Sequence, residues 1–157
     1  MAISMKLKKF LDENKVNYTV AAHSEVYTAQ EIAAALHVRG KELAKVVMVK
    51  AGEGFVMTVL PASWRIDMAK LKEVLRSKEV RLATEKEFKN LFPECEPGAM
   101  PPFGNLYGLD VYEDKALAED EEIFFQAGNH IESVKMKHKD YEKLVKPKIA
   151  DFGVHLH

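Results

Sequence analysis

The fold class is decided by LAKVVMVKA at Leu43–Ala51, the turn Gly52-Glu53-Gly54, and FVMTVL at Phe55–Leu60. Two apolar, β-branched runs joined by a short glycine-containing turn predict a β-hairpin. The first run is apolar on both faces, which is typical of a strand in the middle of a sheet. Because hairpin-linked strands are antiparallel, this pattern argues against a uniformly parallel, doubly wound sheet.

Capping residues and apolar spacing predict helices on both sides of this hairpin. Ser4 can cap a helix that ends near Asn14, and Asp67 can cap one that continues through Leu75. Capping-box patterns predict helices after Thr28 and Thr84, and a last helix is predicted at Lys139–Val145. Further strands are predicted at Tyr18–Ala22, Val80–Leu82, Gly108–Tyr112, Ile123–Ala127 and Ile131–Met136. The sum is an α+β domain with a mixed, curved sheet and helices outside it.

Composition bounds the class of protein. The chain has 157 residues, 47% hydrophobic and 30% charged, which predicts one soluble domain spanning 1–157. A net charge of −1 argues against a long nucleic-acid footprint but permits a short contact with one nucleic-acid end. The single cysteine, Cys95, fits a reducing compartment, and no apolar stretch approaches the roughly 20 residues of a membrane span. We therefore expect a cytoplasmic protein without membrane contact.

The loop Pro97-Gly98-Ala99-Met100-Pro101-Pro102-Phe103-Gly104 cannot form ordinary secondary structure. Its prolines fix φ and remove N–H donors, while its glycines permit unusual backbone shapes. The loop contains no nucleophile, base or metal ligand, so any chemistry it supports must use main-chain groups. It could cradle an oxyanion or hydroxyl with backbone N–H groups. The alternative interpretation is a proline-stiffened surface connection.

Two further features favour a functional site. Lys45 lies near the start of an apolar strand, where a charge is costly unless it reaches water or an anion. It could bind a phosphate, or it could extend its ammonium group to solvent at the strand end. His130, in the turn Gly128-Asn129-His130, could be directed into a cleft to orient a water or bind a substrate group. A structural histidine is the alternative.

The remaining candidate residues give weaker evidence of a functional site. Cys95 has no histidine nearby in sequence, so an inert thiol is expected. His155 and His157 lack further ligands at a recognised spacing, so we predict no metal site. Because no nucleotide-binding fingerprint is present either, no cofactor is predicted.

In order along the chain, Lys45, the Gly98-x-x-x-Pro102 loop and the Gly128-x-His130 turn resemble the YbaK/prolyl-tRNA-synthetase editing superfamily. The resemblance extends from Tyr27-Thr28-Ala29-Gln30-Glu31 to Leu144-Val145-Lys146-Pro147. Members of this superfamily are aminoacyl-tRNA deacylases, either embedded in prolyl-tRNA synthetase or freestanding. Without an attached synthetase domain, this chain looks like a freestanding trans-editing member. The implied fold is a mixed, barrel-like sheet surrounded by helices.

The resemblance also implies roles for individual residues. Lys45 matches the lysine that contacts the phosphate near the terminal adenosine of tRNA, and Gly98 lies in the loop that positions the aminoacyl ester. His130 matches a position that is histidine in several branches. These three are the implied catalytic residues. The implied substrate-binding residues are Tyr27, Val46, Ala99, Met100, Pro101, Pro102, Phe103, Gly128 and Asn129.

The function expected from this resemblance is removal of a small wrong amino acid, alanine or cysteine, from tRNA(Pro). An aminoacyl ester is already activated, so a positioned water and oxyanion stabilisation are sufficient, with a substrate hydroxyl assisting. The expected partners are the tRNA acceptor end and, as a second candidate, prolyl-tRNA synthetase. Two alternatives are a non-catalytic module that binds an aminoacyl or tRNA end, and a hydrolase of another small aminoacyl ester.

Overall fold

The computed structural model describes residues 3–26 and 28–155. Its α-helices are α1 Met5–Glu13, α2 Ala29–Ala35, α3 Met68–Leu75, α4 Glu85–Phe88, α5 Lys115–Ala118 and α6 His138–Val145. Short 3-10 helices cover Lys89–Leu91 and Gly104–Tyr107. The strands are β1 Tyr18–Ala22, β2 Leu43–Ala51, β3 Gly54–Pro61, β4 Trp64–Ile66, β5 Val80–Leu82, β6 Val111–Asp114, β7 Glu122–Gln126, β8 Glu132–Lys137, β9 Lys148–Ala150 and β10 Gly153–His155.

The predicted hairpin forms the centre of the main sheet. β2 and β3 pair antiparallel along the whole hairpin, from Ala44 opposite Pro61 to Ala51 opposite Gly54. The eight-stranded sheet has the order β1-β8-β7-β2-β3-β6-β9, with β5 also paired to β2, while β10 and β4 form a separate pair. β2 is parallel to β7 and β3 is parallel to β6. The predicted α+β fold with a mixed sheet is confirmed, whereas closure of the sheet into a barrel stays a prediction.

Alternation along β2 divides the core between the two faces of the sheet. Ala44 and Met48 belong to the largest buried cluster, together with Phe125 of β7. Val49 faces the other way, into a second cluster with Leu71 of α3. Burying each of these larger apolar side chains contributes about 1.5–3 kcal/mol. Two packed faces make β2 a rigid support for the residues at its start.

The predicted helix starts are confirmed by their caps. Ser4 Oγ accepts the N–H of Leu7 at 3.3 Å, and Asp67 Oδ1 accepts the N–H of Ala69 at 3.0 Å. Both predicted capping boxes, after Thr28 and Thr84, are present. In residues 3–26 and 28–155, no helix has the length and apolar character that a bilayer span requires.

The strand predicted at Gly108–Tyr112 is instead Val111–Asp114. Gly108 adopts φ +70° and ends the preceding 3-10 helix, so the chain becomes extended only later. The strands β4, β9 and β10, each three residues long, were not among the predicted elements. Such segments are too short to show a period, and tertiary pairing defines them.

Candidate functional site

Lys45 lies at the start of the central strand, near the carboxyl end of β7. β2 and β7 pair in parallel with Ala44 opposite Phe125, and continuing this register places Lys45 level with Gln126. The Lys45 ammonium group is 3.5 Å from the carbonyl oxygen of Ala62. In the described part of the chain, no carboxylate oxygen lies within the 4.0 Å salt-bridge limit of this group. Burial lowers the pKa of Lys45, because desolvation disfavours the charged form, so a bound anion would stabilise it.

The proline loop exposes only its tip. Pro97 and Gly98 are exposed, whereas every residue from 99 to 104 is buried. Gly98 has φ +82°, in the region that favours glycine. A Cβ added at Gly98 would lie 3.8 Å from His130 Cε1, an ordinary contact, so the backbone conformation rather than crowding requires glycine here. The tip therefore presents main-chain groups to solvent.

Behind the tip, the loop is fixed in the core. The ring of Phe103 contacts the rings of Phe125 and Tyr141 at centroid distances of 5.5 and 5.4 Å. The Tyr141 hydroxyl donates to the carbonyl oxygen of Pro102 at 2.7 Å. Ala99 and Met100, which belong to the loop, are also buried. Direct contact of these residues and of Pro101 with a substrate stays a prediction, while their packing makes the loop rigid.

The turn after β7 is built by glycine and asparagine. Gly128 has φ +112°, and a Cβ at this position would lie 3.1 Å from Ser4 Cβ, so a side chain would crowd the start of α1. Asn129 is 1% exposed, and its Oδ1 accepts the N–H groups of Ile131 and Glu132 at 2.9 and 2.8 Å. His130 follows within this constrained turn and is 7% exposed.

The structure brings the loop and the turn into direct contact. The N–H of Gly128 donates to the carbonyl oxygen of Ala99 at 2.8 Å, and the N–H of Glu96 donates to that of Gly128 at 2.8 Å. The N–H of His130 donates to Glu96 Oε2 at 2.8 Å. The imidazole Nε2 of His130 lies 2.9 Å from the carbonyl oxygen of Pro97. Two segments about 30 residues apart in sequence thus form one surface feature.

The contacts of His130 define its tautomer. A carbonyl oxygen can only accept, so the bond to Pro97 places a proton on Nε2. The amide nitrogen of Gln126 lies 3.4 Å from Nδ1 and can only donate, so Nδ1 is the acceptor. Both ring nitrogens are used in bonds to the protein. This arrangement favours a positioning role for His130 over that of a general base.

Val46 and Tyr27 are the two remaining predicted binding residues. Val46 packs with the large interior cluster, on the strand face opposite to Lys45. Tyr27 lies outside the described residues. The preceding segment flanks the turn, since the N–H groups of His23 and Val26 donate to the carbonyl oxygens of residues 131 and 130 at 2.8 and 3.4 Å. The roles assigned to Val46 and Tyr27 stay predictions.

Cys95 lies in a poor environment for a nucleophile. Burial raises the pKa of its thiol to about 11, and its Sγ is 3.6 Å from the hydroxyl of Tyr107. A thiol with such a pKa is protonated at neutral pH, which disfavours covalent catalysis. Within the described ranges, no group of three or more histidine, cysteine, aspartate or glutamate residues could hold a metal ion.

Sequence reasoning missed two residues of this site. Glu96 immediately precedes the loop, and Gln126 ends β7 directly after three apolar residues. A polar residue at the end of such a strand was the available signal for Gln126. For Glu96 no sequence signal exists, because its partner His130 is brought close only by the fold.

The chain is similar in sequence and in fold to known proteins. The prolyl-tRNA editing protein ProX of Acetoanaerobium sticklandii is 26% identical over 142 residues, covering 87% of this chain and 86% of that protein. The multifunctional Ser/Thr-tRNA deacylase ProXp-y of Escherichia coli K12 is 28% identical over 155 residues, covering 94% and 90%. A solved structure described as a candidate trans-editing enzyme for prolyl tRNA synthetase aligns with TM-score 0.83 and 20% identity, covering 96% of each chain.

The family profile gives the assignment. The profile of the aminoacyl-tRNA editing domain matches residues 23–144, a range that contains Lys45, the loop and the turn. The relatives are named as an editing protein and a deacylase, which confirms the expected hydrolase class. The chain belongs to the aminoacyl-tRNA editing domain family.

Proposed function

We propose that the protein is a trans-editing deacylase that hydrolyses the ester of a misacylated small amino acid, alanine or cysteine, on tRNA(Pro). The observation that carries this proposal is the exposed Pro97–Gly98 tip, braced against the His130 turn and free of ionisable side chains. A rigid backbone surface of this kind suits an ester that is already activated.

Lys45 anchors the substrate in this proposal. Its half-buried ammonium group lies on a rigid strand and has no carboxylate within salt-bridge distance among the described residues. A phosphate of the tRNA 3′ end supplies the missing anion and forms a charge-assisted hydrogen bond with Nζ. The anchored end then holds the aminoacyl group near the loop tip.

The loop tip aligns the ester for attack. A water adds to the ester carbonyl, the carbon becomes tetrahedral, and the main-chain N–H of Gly98 at the tip stabilises the developing oxyanion. The C–O bond to the ribose then breaks, and the ribose oxygen leaves with a proton. Because His130 is held in bonds to the protein, the neighbouring ribose hydroxyl assists proton transfer. Free amino acid and deacylated tRNA are the products.

Selection of the amino acid follows from the shape of the rigid loop. A hydrophobic or steric site discriminates by about 1–3 kcal/mol per methylene, so size exclusion works best when the residue removed is small. Alanine fits this requirement, and cysteine is only slightly larger. Proline is excluded because its ring needs more room beside the tip.

A second candidate substrate group is seryl- or threonyl-tRNA. The similarity to a protein named as a Ser/Thr-tRNA deacylase, across 94% of this chain, supports it. Main-chain groups at the tip could also bind a side-chain hydroxyl, which can both donate and accept a hydrogen bond. In either case the partner is the acceptor end of a misacylated tRNA, and prolyl-tRNA synthetase is the proposed source of that substrate.

A deacylation panel tests the proposal. Purified protein is incubated with Ala-, Cys-, Ser-, Thr- and Pro-tRNA(Pro), and binding of uncharged tRNA(Pro) is measured in parallel. Release of alanine or cysteine from tRNA(Pro) supports the proposal, and release of serine or threonine alone supports the second candidate. Tight tRNA binding without any hydrolysis would contradict both and favour a binding module.

A further inference from the structure

Glu96 connects the loop and the turn through three separate groups. Its carbonyl oxygen accepts the N–H of Ala99 at 3.0 Å, within the loop. Its own N–H donates to the carbonyl oxygen of Gly128 at 2.8 Å, and its Oε2 accepts the N–H of His130 at 2.8 Å. The side-chain bond is the only one of the three that a substitution can remove without altering the main chain.

These bonds form part of a hydrogen-bond network around the exposed tip. The Glu96 carboxylate fixes the backbone of His130, and the His130 ring in turn donates to the carbonyl oxygen of Pro97. Pro97 immediately precedes Gly98, whose φ of +82° gives the tip its shape. A carboxylate that accepts a backbone N–H forms a charge-assisted bond, roughly twice as strong as a neutral one. The carboxylate of Glu96 therefore acts on Gly98 through His130.

We propose that Glu96 is a positioning residue for the deacylation reaction, holding His130 so that the Gly98 tip keeps the geometry that aligns the ester. This inference rests on the proposed deacylase function. In this role Glu96 does not contact the substrate. Loss of the carboxylate lets the His130 backbone and ring shift, and the tip then samples conformations in which the ester is misaligned.

Glu94 offers a matched control two residues away. Its Oε1 accepts the hydroxyl of Tyr107 at 2.5 Å and that of Ser4 at 3.4 Å, so its bonds lead to α1 and the 3-10 helix rather than to the tip. Removing either glutamate changes the net charge equally. A difference between the two variants thus reports the specific bond to His130.

The kinetic test compares Glu96→Ala, Glu96→Gln and Glu94→Ala. Losing a hydrogen bond to a charged group lowers the single-turnover rate constant of Glu96→Ala by about 10-fold or more, with KM changed less than about 3-fold, because Lys45 still anchors the tRNA. Glu96→Gln retains an acceptor oxygen and recovers most of the rate. Glu94→Ala stays near wild type. Equal losses in Glu96→Ala and Glu94→Ala, or no loss in Glu96→Ala, would overturn the proposal.

A structural readout separates this inference from the function on which it rests. Amide hydrogen exchange, followed by NMR at Ala99, Gly128 and His130, accelerates in Glu96→Ala and not in Glu94→Ala if Glu96 fixes the tip. Unchanged exchange in Glu96→Ala would overturn the positioning role whatever the activity. Accelerated exchange together with an inactive wild-type protein would show that Glu96 fixes the tip, and it would overturn the deacylase function. If Glu96→Ala does not fold, Glu96→Asp, whose carboxylate is drawn back by one methylene, gives the same comparison.

Discussion

At the scale of single residues, Lys45 is the charge on which the proposed substrate binding depends. Its ammonium group is half-buried near the start of β2, and burial lowers its pKa, so the site is unfavourable for a charge without a bound anion. A structural lysine would gain little from such a position. A lysine that anchors the tRNA would instead be stabilised there by a bound phosphate.

We expect Lys45→Ala to lose most deacylation while the fold is retained. Losing one charge-assisted contact costs about 1.5–3 kcal/mol, or roughly 10- to 150-fold in kcat/KM. Lys45→Arg should recover part of the activity, because its planar guanidinium differs in reach from an ammonium group. Wild-type kcat/KM for the alanine variant at physiological salt would contradict the anchor role.

Replacing Cys95 by serine should leave the deacylation rate nearly unchanged. Burial raises the pKa of this thiol to about 11, so it is not a thiolate at neutral pH. The measurement is the single-turnover rate of Cys95→Ser, with folding checked by circular dichroism. Complete inactivity of the folded variant would favour a covalent mechanism and contradict backbone positioning.

At the scale of elements, the loop is rigid behind and exposed only at its tip. Gly98→Val should therefore strongly reduce the single-turnover rate of deacylation. A left-handed φ costs a non-glycine residue roughly 1–2 kcal/mol, and the β-branched side chain of valine restricts the backbone further. A displacement of the tip by about 1 Å can cost about 100-fold in rate. Pro97→Ala is the control, because it keeps the carbonyl group that contacts His130. A folded Gly98→Val protein with the wild-type single-turnover rate would make the loop a mere connector.

Met100 behaves differently from the tip. It is 5% exposed and belongs to the main core cluster, so Met100→Ala should destabilise the fold by about 2–5 kcal/mol. Urea unfolding of this variant and of Pro97→Ala, whose side chain is exposed, gives the comparison. Equal stability of the two variants would contradict the buried position of Met100.

The sequence predicted the elements well and the site partly, for identifiable reasons. The β2–β3 hairpin and the four caps at Ser4, Thr28, Asp67 and Thr84 depend on local patterns, which the structure confirms. Short strands such as Gly153–His155 depend on tertiary pairing and leave no period. The bond between the Glu96 carboxylate and the N–H of His130 joins residues 34 positions apart, and no local sequence pattern encodes it.

At the scale of the whole molecule, a buried pair joins β6 to α6 and makes stability depend on pH. His138 Nε2 lies 2.5 Å from Glu113 Oε2, and Glu113 is fully buried. The hydrogen bond to Glu113 raises the pKa of His138 above 6.5, and burial raises the pKa of Glu113 above 4.5. Raised values mean that the folded state binds more protons, so stability from the pair falls as pH rises.

This pair predicts a specific difference between pH 6 and pH 8. The stabilisation from His138 is present below its ordinary pKa of 6.5 and is lost as pH rises through its folded-state pKa. The free energy of unfolding of wild type, minus that of Glu113→Gln/His138→Gln, should therefore be larger at about pH 6 than at about pH 8. Urea unfolding at both pH values measures it, and an equal or larger difference at the higher pH would contradict the assignment.

The whole chain combines a central hairpin that fixes Lys45 with a loop and turn that fix the Gly98 tip. We propose that this rigid backbone site hydrolyses a small aminoacyl ester and spares a larger one. The most direct measurement is single-turnover hydrolysis of Ala-tRNA(Pro) and Pro-tRNA(Pro) by the purified protein, against spontaneous hydrolysis. We predict that alanine is released faster than proline by about 10-fold or more, as size exclusion of a ring requires. Equal rates for the two esters, or no rate above the spontaneous one, would contradict this proposal.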